Sequence, residues 1–187
     1  GYMVHTFTFY FVLKFAVRIV SDAGFSQPEA ASTLTWANIG GAIGGFLFGF
    51  LMKKWDIKGP TIICMVLGAV AVAYFGLGHD TLNFWRLSAF LQMFFLNAAI
   101  VGFYAAFARG FPAYARGSGT GFALGIGRGG AAASPVIAGY LFAALGPGHY
   151  IANLLPVSLV MTAGSLIGVV LLVLLPLRDA DREAGLV

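Results

Sequence analysis

Two basic side chains, Arg128 and Lys14, lie deep inside long apolar stretches and are the residues of this chain most suited to chemistry. Each comes about ten residues into its stretch, which at a rise of about 1.5 Å per residue places both near the middle of a bilayer. An ionised residue at that depth is costly and is usually retained for a function. No Asp or Glu lies within these stretches to neutralise the two cations. We therefore expect them to face a substrate carboxylate, which Arg binds through two parallel hydrogen bonds and Lys as a compact charge.

Structural roles are the alternative for these basic residues. Arg128 could bond backbone carbonyls or a carboxylate from helices outside this chain, and Lys14 could pair with such a partner or reach an aqueous cavity. Arg18 lies one turn from Lys14 on the same helix face, near a helix end. There it either snorkels to water or guides anions inward.

Amide and aromatic side chains in the same stretches could complete a site for a flat anion. Asn38 and Asn97 either hydrogen-bond across helices or orient a substrate carboxylate or ring hydroxyl. Trp36, Phe94 and Tyr104 are candidate aromatic walls, with helix packing and lipid contact as the alternative in a chain that holds 18 Phe and 7 Tyr. The candidate binding residues are Arg128, Lys14, Asn97, Asn38, Trp36 and Tyr104.

Enzymatic and cofactor chemistry is not indicated. His5, His79 and His149 lie near the ends of apolar stretches and far apart in sequence, and no serine has an evident base with an orienting acid. The glycine pattern at 125–130 matches that of dinucleotide-binding folds, which requires a strand before it and a helix after it. Clusters of metal ligands are also missing. We expect no enzymatic activity, no cofactor and no metal.

The composition is that of a membrane protein. Hydrophobic residues make up 59% of the chain and charged residues 10%, against about 45–50% and about 25% in soluble domains. The net charge of +4 does not indicate nucleic acid, because the basic residues are scattered between apolar runs and form no patch that could neutralise a row of phosphates. Cys64 is a single cysteine, so no intrachain disulfide forms. The first apolar stretch has no basic leader or cleavage pattern, which favours a mature span over a signal peptide.

The apolar stretches predict an all-α, polytopic bundle of six transmembrane helices over residues 1–178, followed by a tail at 179–187. Basic residues concentrate in the second and fourth connections and the tail, which predicts that both termini face the cytoplasm. The predicted spans are about 4–21, 30–52, 60–78, 83–108, 117–145 and 152–176. The basic residues that set this orientation are Lys53, Lys54, Lys58, Arg109, Arg116, Arg178 and Arg182.

Glycines divide the six spans into two sets of three, because the middle span of each set is rich in glycine. This pattern predicts two inverted three-helix repeats with a substrate site near the glycine-interrupted segments. The alternative is close helix packing through small residues, which we expect to explain most of the glycines. They are Gly40, Gly41, Gly44, Gly45 and Gly49 in the second span, and Gly117, Gly121, Gly125 and Gly129, flanked by Gly119, Gly127 and Gly130, in the fifth.

Several sequence runs resemble the major facilitator superfamily. The stretch GFLMKKWDIK at 49–58 is similar to a degenerate copy of its cytoplasmic loop signature, with Lys53 in place of the acid and Asp56 in place of the second glycine. This departure is typical of the second-half copy and argues against a gating ion pair built on that acid. Further runs are similar to the C-terminal half of the aromatic acid:proton symporter family, from about residue 5 to about 178. These runs are TFYFVLK at 8–14, WANIGGAIGG at 36–45, NAAIVG at 97–102 and GTGFALGIGRGG at 119–130, followed by Ser134 and Pro135.

The resemblance implies one half of a secondary active transporter in the cell inner (plasma) membrane. Its substrate would be a small organic anion, an aromatic carboxylate, carried with a proton. The family's other six helices, with the acidic first-helix motif linked to proton coupling, are not in this chain. The partner would be a second six-helix half, either the same chain type or a separate N-terminal half. The alternatives are a membrane assembly or binding subunit without transport, and a truncated fragment that is inactive alone.

Overall fold

The computed structural model describes residues 1–52, 55–145 and 150–175, and every regular element in these ranges is an α-helix. Lys53, Lys54, His149 and the tail with Arg178 and Arg182 lie outside the described residues. The helices are α1 (Tyr2–Asp22), α2 (Gln27–Leu51), α3 (Lys58–Gly76), α4 (Leu82–Gly110), α5 (Arg116–Ala144) and α6 (Leu154–Leu174).

Each helix begins and ends within three residues of its expected span. By length and composition, α1, α2, α3, α4 and α6 could each cross a membrane, whereas α5 is not among these candidates. Helix α5 is long enough at 29 residues, but it carries Arg116, Arg128 and many glycines, which lower its mean hydropathy. The helix that holds the candidate arginine is therefore the least suited to contact lipid on all sides.

Local sequence explains where several helices begin and end. The carboxylate of Glu29 accepts hydrogen bonds from the backbone amide and the hydroxyl of Ser26, at 2.9 and 2.7 Å, and this capping box starts α2. Gly24 after α1 and Gly78 after α3 have φ angles of 97° and 75°, a left-handed conformation that favours glycine. The connections that follow α1 and α3 are consequently short turns.

The helix pairs in contact repeat under exchange of the first three helices with the last three. Helix α1 packs along α5 as α4 packs along α2, and α1 contacts α6 as α4 contacts α3. Helix α3 also packs against α6, its own counterpart under the same exchange. This arrangement agrees with two inverted three-helix repeats. Helices α2 and α5, which do not contact each other in the described residues, occupy opposite flanks of the bundle.

The two ends of the bundle are closed differently. At the end we call the basic end, where Lys58, Arg109 and Arg116 flank the connections, the ammonium of Lys58 donates to the carbonyls of Val173 and Leu175 at 2.8 and 3.0 Å. Lys58 thereby satisfies the last carbonyls of α6 and complements the negative end of its dipole. At the opposite end, residues from the first, third and fifth connections line one cavity of about 480 Å³.

A fully buried histidine joins three helices inside the bundle. The Nε2–H of His5 donates to the carbonyl of Leu96, and its Nδ1 accepts from the hydroxyl of Ser165, each at 3.0 Å. The hydroxyl of Thr8 accepts from the backbone amide of Ser165 at 3.1 Å and donates to the carbonyl of Met161 at 2.7 Å. These bonds connect α1 to α4 and α6 without an ionised group. Sequence reasoning gave His5 no role because nothing in the sequence shows where its partners lie.

Glycines allow the closest approaches between helices. A side chain at Gly40 or Gly44 of α2 would overlap the backbone carbonyl of Phe90 or Phe94 on α4. In α5, the glycines at 127 and 130 have the same role against α1, whereas Gly117, Gly121 and Gly125 have no atom near the position of an added Cβ. The packing interpretation therefore holds for the flanking glycines of α5. In the row at four-residue spacing, Gly117, Gly121 and Gly125 make no such contact, and only Gly129 has an atom of Met3 within 4 Å.

We expect Gly44→Ala to destabilise the protein, because the added methyl group meets the carbonyl oxygen of Phe94. Overpacking of this kind costs about 1–3 kcal/mol. Gly49→Ala is the matched control, since no atom lies within 4 Å of the added Cβ. The measurement is the fraction of monodisperse protein that survives heating in mild detergent. Equal thermal tolerance of the two variants would contradict the packing role.

The histidine network also makes a stability prediction. His5→Leu should lower the free energy of unfolding by about 1–3 kcal/mol, because it leaves the buried hydroxyl of Ser165 without its partner. Thr35→Val removes a hydroxyl from the exposed side of α2 and should change little. Thermal unfolding of both variants checks the prediction, and wild-type stability of His5→Leu would show that the network is dispensable.

Candidate functional site

One side of α1 carries its exposed side chains, including both of its cations. Met3, Lys14 and Arg18 are exposed and Tyr10 is half-buried, at spacings of seven, four and four residues. These spacings place the four residues on one helix face. The opposite face of α1 holds buried residues, including Val12 and Ile19 in the hydrophobic core. We call Met3, Tyr10, Lys14 and Arg18 the polar strip of α1. It faces away from the interior of the bundle.

Close contact between α1 and α5 places Arg128. The hydroxyl of Thr6 donates to the carbonyl of Gly127 at 2.8 Å, the ring of Tyr2 lies against Gly127, and the carbonyl of Met3 lies against Gly130. Arg128 follows Gly127 and is exposed. Within the described ranges its guanidinium has no hydrogen-bond or ion-pair partner. The structural alternative, bonding to carbonyls of this bundle, is therefore not observed.

Two tyrosines lie beside this arginine. The hydroxyls of Tyr2 and Tyr104 are 3.3 Å apart and their ring centroids 5.9 Å apart, and the ring of Tyr2 lies against Gly127, the residue before Arg128. Tyr104 is 44% exposed. We call Arg128, Tyr2 and Tyr104 the arginine–tyrosine site. Sequence reasoning selected the arginine and Tyr104 but missed Tyr2. Tyr2 precedes the first predicted span, and nothing in the sequence indicates that it meets Tyr104.

Asn97, two helical turns from Tyr104, links α4 to α2. Its side-chain amide donates to the carbonyl of Gly41 at 2.7 Å, and the Cβ position of Gly45 is 3.0 Å from the same nitrogen. This bond across helices is one of the two roles expected for Asn97. Because Asn97 and Tyr104 are seven residues apart, they share one side of α4. A second amide hydrogen of Asn97 remains available to a ligand on that side.

Lys14 lies far from Arg128 along the bundle axis. Arg128 lies beside Tyr2 and Thr6, and Lys14 is eight to twelve residues further along α1. At about 1.5 Å per residue this separation is roughly 12–18 Å. The two cations were expected to face one anion near the midplane, and in this arrangement their backbones lie at different levels of the bundle. Lys14 instead lines a separate groove with Arg18.

The remaining candidates on α2 do not join the arginine–tyrosine site. Trp36 is 46% exposed and lines a cavity of about 380 Å³ with Asn83, Arg86, Leu87 and Phe90. The Nε–H of Arg86 donates to the hydroxyl of Ser32 at 2.8 Å in this region. Asn38 is exposed, two residues from Trp36 and thus on another side of α2.

Phe94 serves helix packing. Its ring stacks near Phe90, with centroids 6.2 Å apart, and its backbone carbonyl lies against Gly44. The half-buried ring faces its aromatic neighbours on α4 and does not reach the arginine–tyrosine site through any contact in the described residues.

The arginine–tyrosine site is suited to binding a planar anion. A guanidinium with both edges available offers two parallel hydrogen bonds to a carboxylate, and the tyrosines offer hydroxyl donors and ring faces. Among the described residues no three His, Cys, Asp or Glu side chains come together as metal ligands. The groups that are present at this site can recognise a carboxylate by its charge and a flat ring by its shape.

Comparisons of the sequence with known proteins concern the family of the chain. The Major Facilitator Superfamily profile matches residues 1–186. The benzoate transport protein of Acinetobacter baylyi (strain ATCC 33305 / BD413 / ADP1) is 27% identical to the chain over 147 residues. The match covers 79% of this chain and 31% of that protein, so the chain aligns with less than a third of the relative's length.

The polar strip and the arginine–tyrosine site should be lined by water in the assembled protein. In a Cys64→Ala background, Lys14→Cys and Tyr104→Cys should react with a hydrophilic maleimide, because thiols ionise and react where water reaches them. Ser134→Cys is the buried control, and Leu166→Cys reports the exposed apolar side of α6. Labelling is quantified by mass shift in native membranes. Reaction of Tyr104→Cys no faster than that of Leu166→Cys would contradict a water-lined site.

Proposed function

Because the chain belongs to the Major Facilitator Superfamily, we propose that it forms one six-helix half of a secondary active transporter for a small aromatic carboxylate, carried with protons. The observation that carries this proposal is Arg128, which is exposed and has no partner in the described residues. It follows Gly127, against which the ring of Tyr2 packs, and the hydroxyl of Tyr2 is 3.3 Å from that of Tyr104. The related benzoate transport protein supports the substrate class.

The charge of Arg128 favours an anionic substrate. An ionised residue at the bilayer centre costs about 2.5–3.5 kcal/mol on insertion scales, and a bound carboxylate or a water-filled cavity offsets this cost. No Asp or Glu lies deep within the six helices, since Asp22 ends α1 and Glu29 lies in the first turn of α2. The substrate carboxylate then supplies the counter-charge that this chain lacks at that depth.

Aromatic and amide groups complete the proposed site. The rings of Tyr2 and Tyr104 are tilted at 58° to each other, which leaves ring faces for a flat ligand beside the guanidinium. Asn97, two turns from Tyr104 on the same side of α4, is placed to bond a ring substituent with its second amide hydrogen. Trp36 and Asn38 are not assigned to this site, because neither contacts it in the described structure.

Proton coupling is proposed to depend on the second half of the transporter. The spans of this chain contain no deep carboxylate, and the fully buried His5 has both ring nitrogens in hydrogen bonds. A carboxylate on the second half could exchange protons with the cavity while Arg128 holds the substrate. The two halves would then rock about the shared site to open it to each side in turn.

Three features support a second six-helix half. The match to the benzoate transport protein covers only 31% of that protein. Lys14 and Arg128 are exposed on this bundle and would contact lipid in its absence. The row of Gly117, Gly121 and Gly125 on α5 has open space beside it, as a helix from another bundle would require. The second half is either a separate N-terminal half or another copy of this chain.

The proposed location is the inner membrane, with the basic end in the cytoplasm. Lys58, Arg109 and Arg116 all lie at that end, and the first and third connections hold no Lys or Arg. Basic residues in short connections favour the cytoplasmic side. In this orientation Arg128 is reached from the cytoplasm past Tyr104, and the Lys14 end of the polar strip faces outward.

Arg128→Lys tests the proposed function because it retains the charge and removes the planar fork. In the assembled transporter we expect affinity for benzoate to fall by about tenfold, which corresponds to the loss of one charge-assisted hydrogen bond. Benzamide, which has no charge, should bind more weakly than benzoate to the wild type. Arg109→Lys, at the exposed end of α4, is the control and should bind both compounds as the wild type does.

Binding and uptake should be measured on the same preparation of purified protein in vesicles. Equal affinity of the wild type for benzoate and benzamide would contradict charge recognition. Normal benzoate uptake by a well-expressed Arg128→Ala variant would leave the arginine with a structural role and would favour the interpretation as an assembly subunit.

A further inference from the structure

A second positively charged groove lies at the opposite end of the bundle from Lys58. It has a volume of about 540 Å³ and lies between the last turns of α1, the start of α2 and Tyr150. Its lining is polar along α1 and aromatic at Tyr150. The lining residues are Lys14, Val17, Arg18, Ser21, Asp22, Gln27 and Tyr150.

The charges of this groove favour an anion. Lys14 and Arg18 are exposed, and neither has an ion-pair partner within the ranges the structure describes. The guanidinium of Arg18 lies 4.9 Å from the ring centroid of Tyr150, and this cation–π contact holds it at the groove wall. Asp22 is the single carboxylate of the lining, and it accepts a hydrogen bond from the backbone amide of Ile151 at 3.3 Å.

The uncharged side chains of the groove are held in place by contacts within the bundle. The side-chain amide of Gln27 donates to the hydroxyl of Ser21 at 3.1 Å, which joins the end of α1 to the start of α2. Tyr150 packs against Phe142 and Phe15, with ring centroids 4.7 and 6.2 Å away. The groove walls are therefore held by contacts independent of Lys14, so that removing the charge of Lys14 leaves them in place.

The groove and the arginine–tyrosine site are connected along one helix face. Lys14, Tyr10 and Met3 follow one another on the polar strip of α1, and Met3 packs at the level of Gly130, two residues beyond Arg128. The distance between the two cationic regions is roughly 12–18 Å at the rise of an α-helix. An anion that leaves Lys14 along this strip meets no carboxylate of α1 before it reaches Arg128.

We propose that the Lys14–Arg18 groove is an entry site that captures the carboxylate of the transported anion before it moves to Arg128. This inference rests on the proposed function. The groove is open and solvated, so its cations raise the local concentration of the anion and accelerate its arrival. Binding strength at the inner site stays with Arg128 and the two tyrosines.

An entry role predicts a specific kinetic and salt signature. Removing both charges should raise the KM for external substrate and leave the maximal rate unchanged, because only the encounter step is slowed. The effect should be large at low ionic strength, where the screening length is about 30 Å, and small at about 0.15 M, where it is about 8 Å.

The experiment measures initial benzoate uptake by the assembled transporter in right-side-out vesicles. For Lys14→Gln combined with Arg18→Gln, we expect KM to rise by about tenfold at an ionic strength of about 0.01 M and by less than about twofold at 0.15 M. Lys14→Gln with Arg18→Lys retains one cation and should give an intermediate KM. Arg109→Gln removes the same type of charge at the basic end and should leave KM for external substrate unchanged.

The outcomes separate this inference from the proposed function. If the wild type transports benzoate in an Arg128-dependent manner but the double variant retains wild-type KM and salt dependence, the entry site is wrong and the proposed function stands. A lower maximal rate with unchanged KM would assign Lys14 and Arg18 a structural role and would also overturn the entry site. Absence of benzoate uptake by the wild type overturns both proposals.

Discussion

The close approach of α5 to α1 is the contact on which the rest of the site depends. Gly127 and Gly130 have no side chains to separate the two helices, so the ring of Tyr2 and the carbonyl of Met3 lie directly against α5. The hydroxyl of Thr6 fixes the register through the carbonyl of Gly127. This register places Arg128 on the exposed side of α5, beside the paired hydroxyls of Tyr2 and Tyr104. On the other flank of the bundle, Gly40 and Gly44 allow the same close approach between α2 and α4.

Polar groups in this bundle divide into two classes by their partners. His5, Thr8 and Ser165 are buried, neutral and hydrogen-bonded to one another or to backbone carbonyls, so they stabilise the junction of α1, α4 and α6. Lys14 and Arg128 are exposed and have no anionic partner in the described residues. A membrane protein can keep exposed cations of this kind where water, substrate or a second bundle covers them. The same division explains why the proposed transport function is assigned to the exposed face and fold stability to the interior.

Separation of the cations along α1 changes how the proposed transporter would work. With Lys14 and Arg128 at one depth, a single carboxylate would be held by both, and release would require breaking two charged contacts at once. With roughly 12–18 Å between them, each cation would act at a different stage of the proposed transport. In this proposal the arginine–tyrosine site would provide directional hydrogen bonds, and the Lys14–Arg18 groove would provide long-range attraction that salt can screen. Different residues would then set substrate selectivity and the speed of substrate arrival.

Sequence alone determined the features that depend on composition and local order. Six helices and their bounds within three residues follow from apolar length and turn residues, and the choice of Arg128 as the main candidate residue follows from the cost of a deep charge. Tertiary structure alone decided which residues meet. Lys14 and Arg128 have similar positions within their spans, yet the offset between α1 and α5 places them at different levels. The Gly117, Gly121 and Gly125 row is the most regular in α5, but Gly127 and Gly130 make the contact. The hydrogen-bond partners of Tyr2 and His5 are residues about 90 to 160 positions away in the sequence. Such long-range contacts depend on the rotation and register of each helix, and these are set by the packing of all six helices together.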